Sequence, residues 1–95
     1  MIKKNFKELL EKIIQQTDPK NDRVVLTDQY YILVIRHDEK EKVYHIYDIL
    51  INHDNFDIDY RKTLKRPQYF TEITSSYTSN VKLKTIHDVL QYIFN

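Results

Sequence analysis

Three features of this 95-residue sequence predict an α+β fold: helical apolar spacing at both ends, β-prone apolar runs between them, and a period-two alternation in the second half. The expected architecture is an antiparallel sheet of about four to five strands, flanked by an N-terminal and a C-terminal amphipathic helix. It fills residues 1–95 as a single domain, since compact domains commonly run to roughly 100–150 residues.

Phe6, Leu9, Leu10, Ile13 and Ile14 recur at the spacing of one helical face. This predicts a helix over 6–16, with Asn5 as its cap and Glu8 at the capping-box position. Thr17-Asp18-Pro19 ends it, because the residue before proline is pushed out of the helical region. Arg23 to Thr27 reads as a short strand. Tyr30 to Arg36 and Val43 to Ile51 read as a hairpin joined by the charged interval His37 to Lys42, without the Asn-Gly or Asp-Gly pair of a tight turn. Both runs are apolar on both faces, the pattern of central strands.

Phe56, Ile58 and Tyr60 alternate with Asp57, Asp59 and Arg61, predicting another strand. Tyr69 to Thr74 is a further strand candidate, and Ser75 to Asn80 reads as a polar loop. Ile86, Val89, Leu90, Ile93 and Phe94 mark the last helix, capped by Thr85 with Asp88 in the capping-box position.

Composition narrows the functional classes. The absence of cysteine excludes disulfides and thiolate metal sites and fits a reducing cytosol, so a cytoplasmic location is expected. The charged N-terminus does not resemble a signal peptide, and no apolar run approaches the roughly 20 residues that cross a bilayer, so no membrane partner is expected. The absence of glycine removes the usual phosphate-cradling loop, the dinucleotide fingerprint and the glycine-flanked nucleophile turn. Lys, Asn, Ile, Tyr and Asp dominate while glycine and alanine are missing, the signature of an AT-rich genome or a mobile element such as a phage.

No motif identifies a catalytic centre. His37, His45, His53 and His87 show no zinc-site spacing, and no cofactor or metal is expected. Asp54, Asp57 and Asp59 are acidic and close together, but the glycine and bidentate glutamate of a calcium loop are missing; they read as an acidic binding segment on an edge strand. Residues 48–59 carry four acids and no Lys or Arg, whereas 60–95 carry six cations against two acids. Within that block Arg61, Lys62, Lys65 and Arg66 precede Tyr69, a basic–aromatic segment of the kind that neutralises phosphates and stacks bases. The net charge of +1 is low for a dedicated nucleic-acid domain.

Eight tyrosines offer large, rigid contact area with polar tips. The leading expectation is therefore a small non-catalytic protein-binding module, such as a phage or mobile-element inhibitor or accessory factor acting on a host protein. Nucleic-acid binding through Arg61, Lys62, Lys65, Arg66 and Tyr69 is the first alternative. A small ribonuclease-like toxin using His53 or His87 is the second, and homo-oligomerisation through the apolar hairpin is a further option.

Overall fold

The computed structural model describes residues 2–28, 30–64 and 77–95. Helix α1 (Ile2–Gln16) leads into five strands, β1 (Asp22–Asp28), β2 (Tyr31–Asp38), β3 (Val43–Ile51), β4 (Phe56–Thr63) and β5 (Tyr77–Leu83), and helix α2 (Ile86–Phe94) follows. The strands form one antiparallel meander in the order β1-β2-β3-β4-β5. The expected α+β architecture is thus observed.

Partners directly opposite each other in an antiparallel ladder share a face, so the register defines rows across the sheet. One face carries the row Leu26, Ile32, Ile49, Ile58, Val81 and, beside it, the row Val24, Val34, Tyr47, Tyr60, Ser79. Leu9 and Ile13 of α1 and Val89 and Ile93 of α2 pack onto this face, forming one core with Ile32, Val34, Tyr47, Ile49, Ile51, Phe56 and Ile58. Each fully buried Ile or Leu contributes about 1.5–3 kcal/mol of transfer free energy, so this layer is the main source of stability. On the opposite face Leu33 (5% exposed), Ile46 (1%) and Asp48 (4%) are also buried. That accounts for the doubly apolar character of β2 and β3.

Three local expectations need correction. The strand that carries Asp57 and Asp59, β4, is not an edge strand, because it pairs with β3 on one side and β5 on the other. The first helix begins at Ile2, so Asn5 lies within its first two turns and does not cap it. Ile2 packs against the core, and this tertiary contact extends the helix beyond what its capping signals indicate. Tyr77–Asn80 form the first half of β5 and not a polar loop. Their pairing with β4 puts Asn80 opposite Asp59, where its side-chain amide donates to Asp57 Oδ1 at 2.6 Å and Asp59 Oδ1 at 2.7 Å. An edge strand tolerates polar residues because one of its sides faces no partner strand. The strand candidate Tyr69–Thr74 lies outside the described residues. Thr85 does cap α2, accepting from the Asp88 amide at 3.1 Å.

The β2–β3 connection shows how a hairpin closes without glycine. Asp38 Oδ1 accepts from the Lys40 and Glu41 amides at 3.0 and 3.1 Å, and the Lys42 amide donates to Asp38 O at 2.7 Å. An aspartate side chain bonding the backbone ahead of it replaces the turn chemistry of Asn-Gly. Lys42 then takes φ 59, and Tyr30 takes φ 62 at the preceding turn. The left-handed region costs a residue with a Cβ about 1–2 kcal/mol. Lys42→Gly is therefore expected to raise stability by about 0.5–1 kcal/mol, after allowing for glycine's greater unfolded-state freedom. Urea denaturation measures it, and an equal or lower midpoint would show that the turn stores no such strain.

Candidate functional site

Helix α2 has nine residues and β3 has nine. At about 1.5 Å per helical residue against about 3.3 Å per strand residue, the helix covers roughly half the length of the strand. The C-terminal end of the helix reaches the row that contains Arg36, near the β2–β3 turn, and the register decides which side chains it meets there. Asp22, Arg36, His45 and Lys62 form one transverse row, next to the row containing Tyr47, Tyr60 and Ser79.

Arg36 holds the end of α2 in place. Its Nε donates to Asp22 Oδ1 at 3.0 Å and its Nη1 donates to Ile93 O at 2.8 Å, while the guanidinium lies 4.7 Å from the centre of the Phe94 ring. The last carbonyls of a helix lack intrahelical donors and carry partial negative charge, so a cation there satisfies both needs. The Asp22 side chain is 1% exposed and rests on this pair.

Beside Arg36 opens a cleft of about 470 Å³, whose walls include His45, Tyr47, Asp38 and Phe94. Tyr47 also lines an adjoining depression of about 240 Å³ shared with Tyr60, Ser79 and Tyr92. The aromatic rings brace one another: Tyr47 lies 5.2 Å from Tyr60 and 5.8 Å, edge-on, from Tyr92, and His45 stacks on Tyr60 at 5.7 Å. Burial pushes the Tyr47 phenol up to about 12, so it stays neutral.

His45 Nδ1 lies 2.5 Å from Tyr60 Oη, and His45 Nε2 lies 4.0 Å from Asp38 Oδ2. Burial lowers the imidazole from its ordinary value, and the attraction of Asp38 opposes this. The Asp38 carboxyl is held low by the amide bond from Glu41 first and that from Lys40 also, so it is ionised. A neutral His45 whose Nδ1 accepts from Tyr60 Oη carries its own proton on Nε2, facing Asp38. Lys62 approaches Glu41 at 3.9 Å.

Of the residues singled out in the sequence, Lys62 belongs to the row of Arg36 and His45, and the other described ones lie outside the cleft. Arg61 and Lys62 are neighbours on β4 and so point to opposite faces, one opposite Ile46 and the other opposite His45. Lys65, Arg66 and Tyr69 lie outside the described residues. Asp57 and Asp59 sit together on the face opposite the helices, bridged by Asn80, with Lys82 3.6 Å from Asp57. Asp54 is exposed in the bend between β3 and β4. His53 is exposed in the same bend and His87 is exposed in α2, and among the described residues no hydrogen bond or ion pair joins either to an Arg or Lys. No group of three or more His, Asp or Glu side chains among the described residues is placed to hold a metal ion. No helix among them is long and apolar enough to cross a membrane.

No family model matches the chain, and neither the curated proteins nor the solved structures provide a significant match.

Proposed function

We propose that this chain is a non-catalytic protein-binding module that receives its partner in the tyrosine-lined cleft beside the end of α2. The single observation that supports this most is the braced set Tyr47, Tyr60 and Tyr92, which lines a depression that shares Tyr47 with the larger cleft. Rigid, mutually supported aromatic rings with polar tips are the residue type that dominates binding energy at protein interfaces. The surrounding charges are mixed, with Asp22, Asp38 and Glu41 set against Arg36 and Lys62, as on an interface rim. Small size and the mobile-element composition fit an inhibitor or accessory factor that acts on a host protein.

Tyr92→Ala is expected to weaken the partner complex about tenfold or more, the cost of removing a central aromatic anchor. The check is quantitative affinity capture from a bacterial lysate with both forms, followed by titration of the recovered protein, with circular dichroism confirming the fold. Equal capture and equal affinity would exclude this cleft as the interface.

Nucleic-acid binding is the second reading. It gains from the transverse row Arg36, His45, Lys62 running beside the tyrosines, since basic groups next to stacked rings suit single strands. The acids paired with that row reduce its appeal to phosphate. Fluorescence anisotropy with labelled RNA and DNA separates the two readings: binding that falls steeply with salt supports this one, and no binding at low salt leaves the protein-binding reading.

A further inference from the structure

We propose that the outer edge of β1 joins two copies of this chain, the two β1 strands pairing antiparallel about a two-fold axis at Val25. This adds a surface separate from the tyrosine-lined cleft, because Val24, Val25 and Leu26 line neither of its two parts. The argument starts from the backbone. In an antiparallel ladder, successive residues turn their N–H and C=O groups alternately toward and away from the neighbouring strand. The His37 amide donates to Asn21 O at 2.8 Å, which puts the odd-numbered residues of β1 on the side of β2. The Asp22 amide donates instead to Asp18 O at 2.8 Å, outside the sheet. Val24 and Leu26 therefore turn their N–H and C=O groups away from β2, and among the described residues no strand pairs with that side.

Open edges are commonly blunted by proline, lysine or a covering element. The middle of β1 is Val24-Val25-Leu26, and Leu26 is 53% exposed. At the other end of the sheet β5 carries Thr78, Ser79, Asn80 and Lys82, so β1 is the edge suited to an apolar contact.

A second copy fits this edge because a two-fold interface must be self-complementary. With the axis at Val25, Val24 of each copy stands opposite Leu26 of the other, and their outward N–H and C=O groups satisfy one another. Apolar residues then meet apolar residues, Val25 against Val25 on one face and Val24 against Leu26 on the other. Arg23 of one copy comes level with the Thr27–Asp28 end of the other, so a cation meets the acidic end of the strand. An axis at Arg23 would instead set like charges against each other. The bulge after Leu26 bends the strand and ends the regular pairing there, which keeps Asp22 from standing directly opposite Asp28.

Three paired residues bury little area, so the dimer is expected to be weak and to form between about 10 μM and about 1 mM. Sedimentation velocity across that range reads the mass, and hydrogen exchange of the backbone amides at its two ends locates the contact. The Val24 and Leu26 amides are expected to exchange about tenfold more slowly at the higher concentration, while those of Arg23 and Val25, bonded to β2, stay the same. Leu26→Lys, at an exposed position, is expected to weaken the dimer about tenfold with an unchanged circular dichroism spectrum. A chain that remains a monomer at the higher concentration would overturn the proposal. So would a dimer whose Val24 and Leu26 amides exchange as freely as in the monomer, since its contact lies elsewhere. Both readouts use the unaltered protein, so they decide the matter even if Leu26→Lys fails to fold. Neither involves a host protein, so failure here is distinct from failure of the cleft as a binding site.

Discussion

Arg36→Met is expected to destabilise the protein by about 2–3 kcal/mol, the largest single effect predicted for a side chain at the cleft. Removing one partner of a buried ion pair costs about 3–5 kcal/mol, because the other charge stays buried without compensation. The Asp22 side chain is 1% exposed while that of Arg36 is 31% exposed, so water screens part of the interaction and the lower figure applies. The substitution also removes the donor to Ile93 O and the contact with the Phe94 ring, and these hold the final turn of α2. Methionine preserves the apolar stem, so lost packing does not confuse the reading. Urea denaturation of Arg36→Met and Arg36→Lys gives the test. Lysine keeps the charge but not the two-armed geometry, and it should fall between the other two. A variant as stable as the parent would mean that α2 needs no anchor at that end.

The second large effect concerns Asp48, on the face away from the helices. It is 4% exposed, its Oδ1 is buried without a hydrogen-bond partner, and it stands directly opposite Asp59. Burial raises its carboxyl from the ordinary value. The Tyr31 phenol and the charge of Arg61 pull it down, and Asp59 pushes it up again. The same contact, after burial, pushes the Tyr31 phenol up to about 12.

Because the folded carboxyl holds its proton more tightly than the unfolded one, its contribution to stability is complete below about pH 3.9. That contribution is lost as pH rises through the folded value. Asp48→Asn removes the charge and keeps the shape. It is expected to stabilise the fold by about 1–2 kcal/mol at neutral pH, where burial and the facing Asp59 outweigh the help that Tyr31 and Arg61 give the charge. At a pH below about 3.9 the parent carboxyl holds its proton in both states, and the difference should shrink toward zero. Denaturation of both forms at the two pH values measures it; a difference that does not change with pH would show that Asp48 carries no raised carboxyl.

These two sites differ in how far the sequence exposes them. The strand Val43–Ile51 can be delimited from the sequence because a long β-prone run ends at polar turn residues on both sides. The helix stripes are legible for the same reason: their apolar spacing is a local property. Asp48 looks like one more acid in an acidic stretch until pairing puts it inside, between β2 and Asp59 of β4.

The cleft is less legible still. Its residues come from β2, β3, β4, β5 and α2, and only the register brings Arg36, His45 and Lys62 into one row. A slip of one residue would move them to the other face. Tyr44 and Tyr47 stand out in the sequence as hairpin tyrosines, yet their spacing of three puts them on opposite faces, and only Tyr47 reaches the aromatic set. His45 resembles the other histidines by sequence. The Asp38 turn would have been the available clue, since a hairpin closed over 39–42 places Arg36 opposite His45. Of the basic segment only Arg61 and Lys62 are described, and as consecutive residues of β4 they face opposite sides of the sheet.

The central claim is that the tyrosine-lined cleft beside the end of α2 is the binding surface, and NMR titration of the labelled chain with its captured partner tests it most directly. The account predicts that ring resonances of Tyr47, Tyr60, Tyr92 and His45 shift or broaden first, while those of Tyr31 on the opposite face stay in place. Shifts confined to the face bearing Tyr31, Asp57 and Asp59, with the cleft rings unmoved, would contradict it.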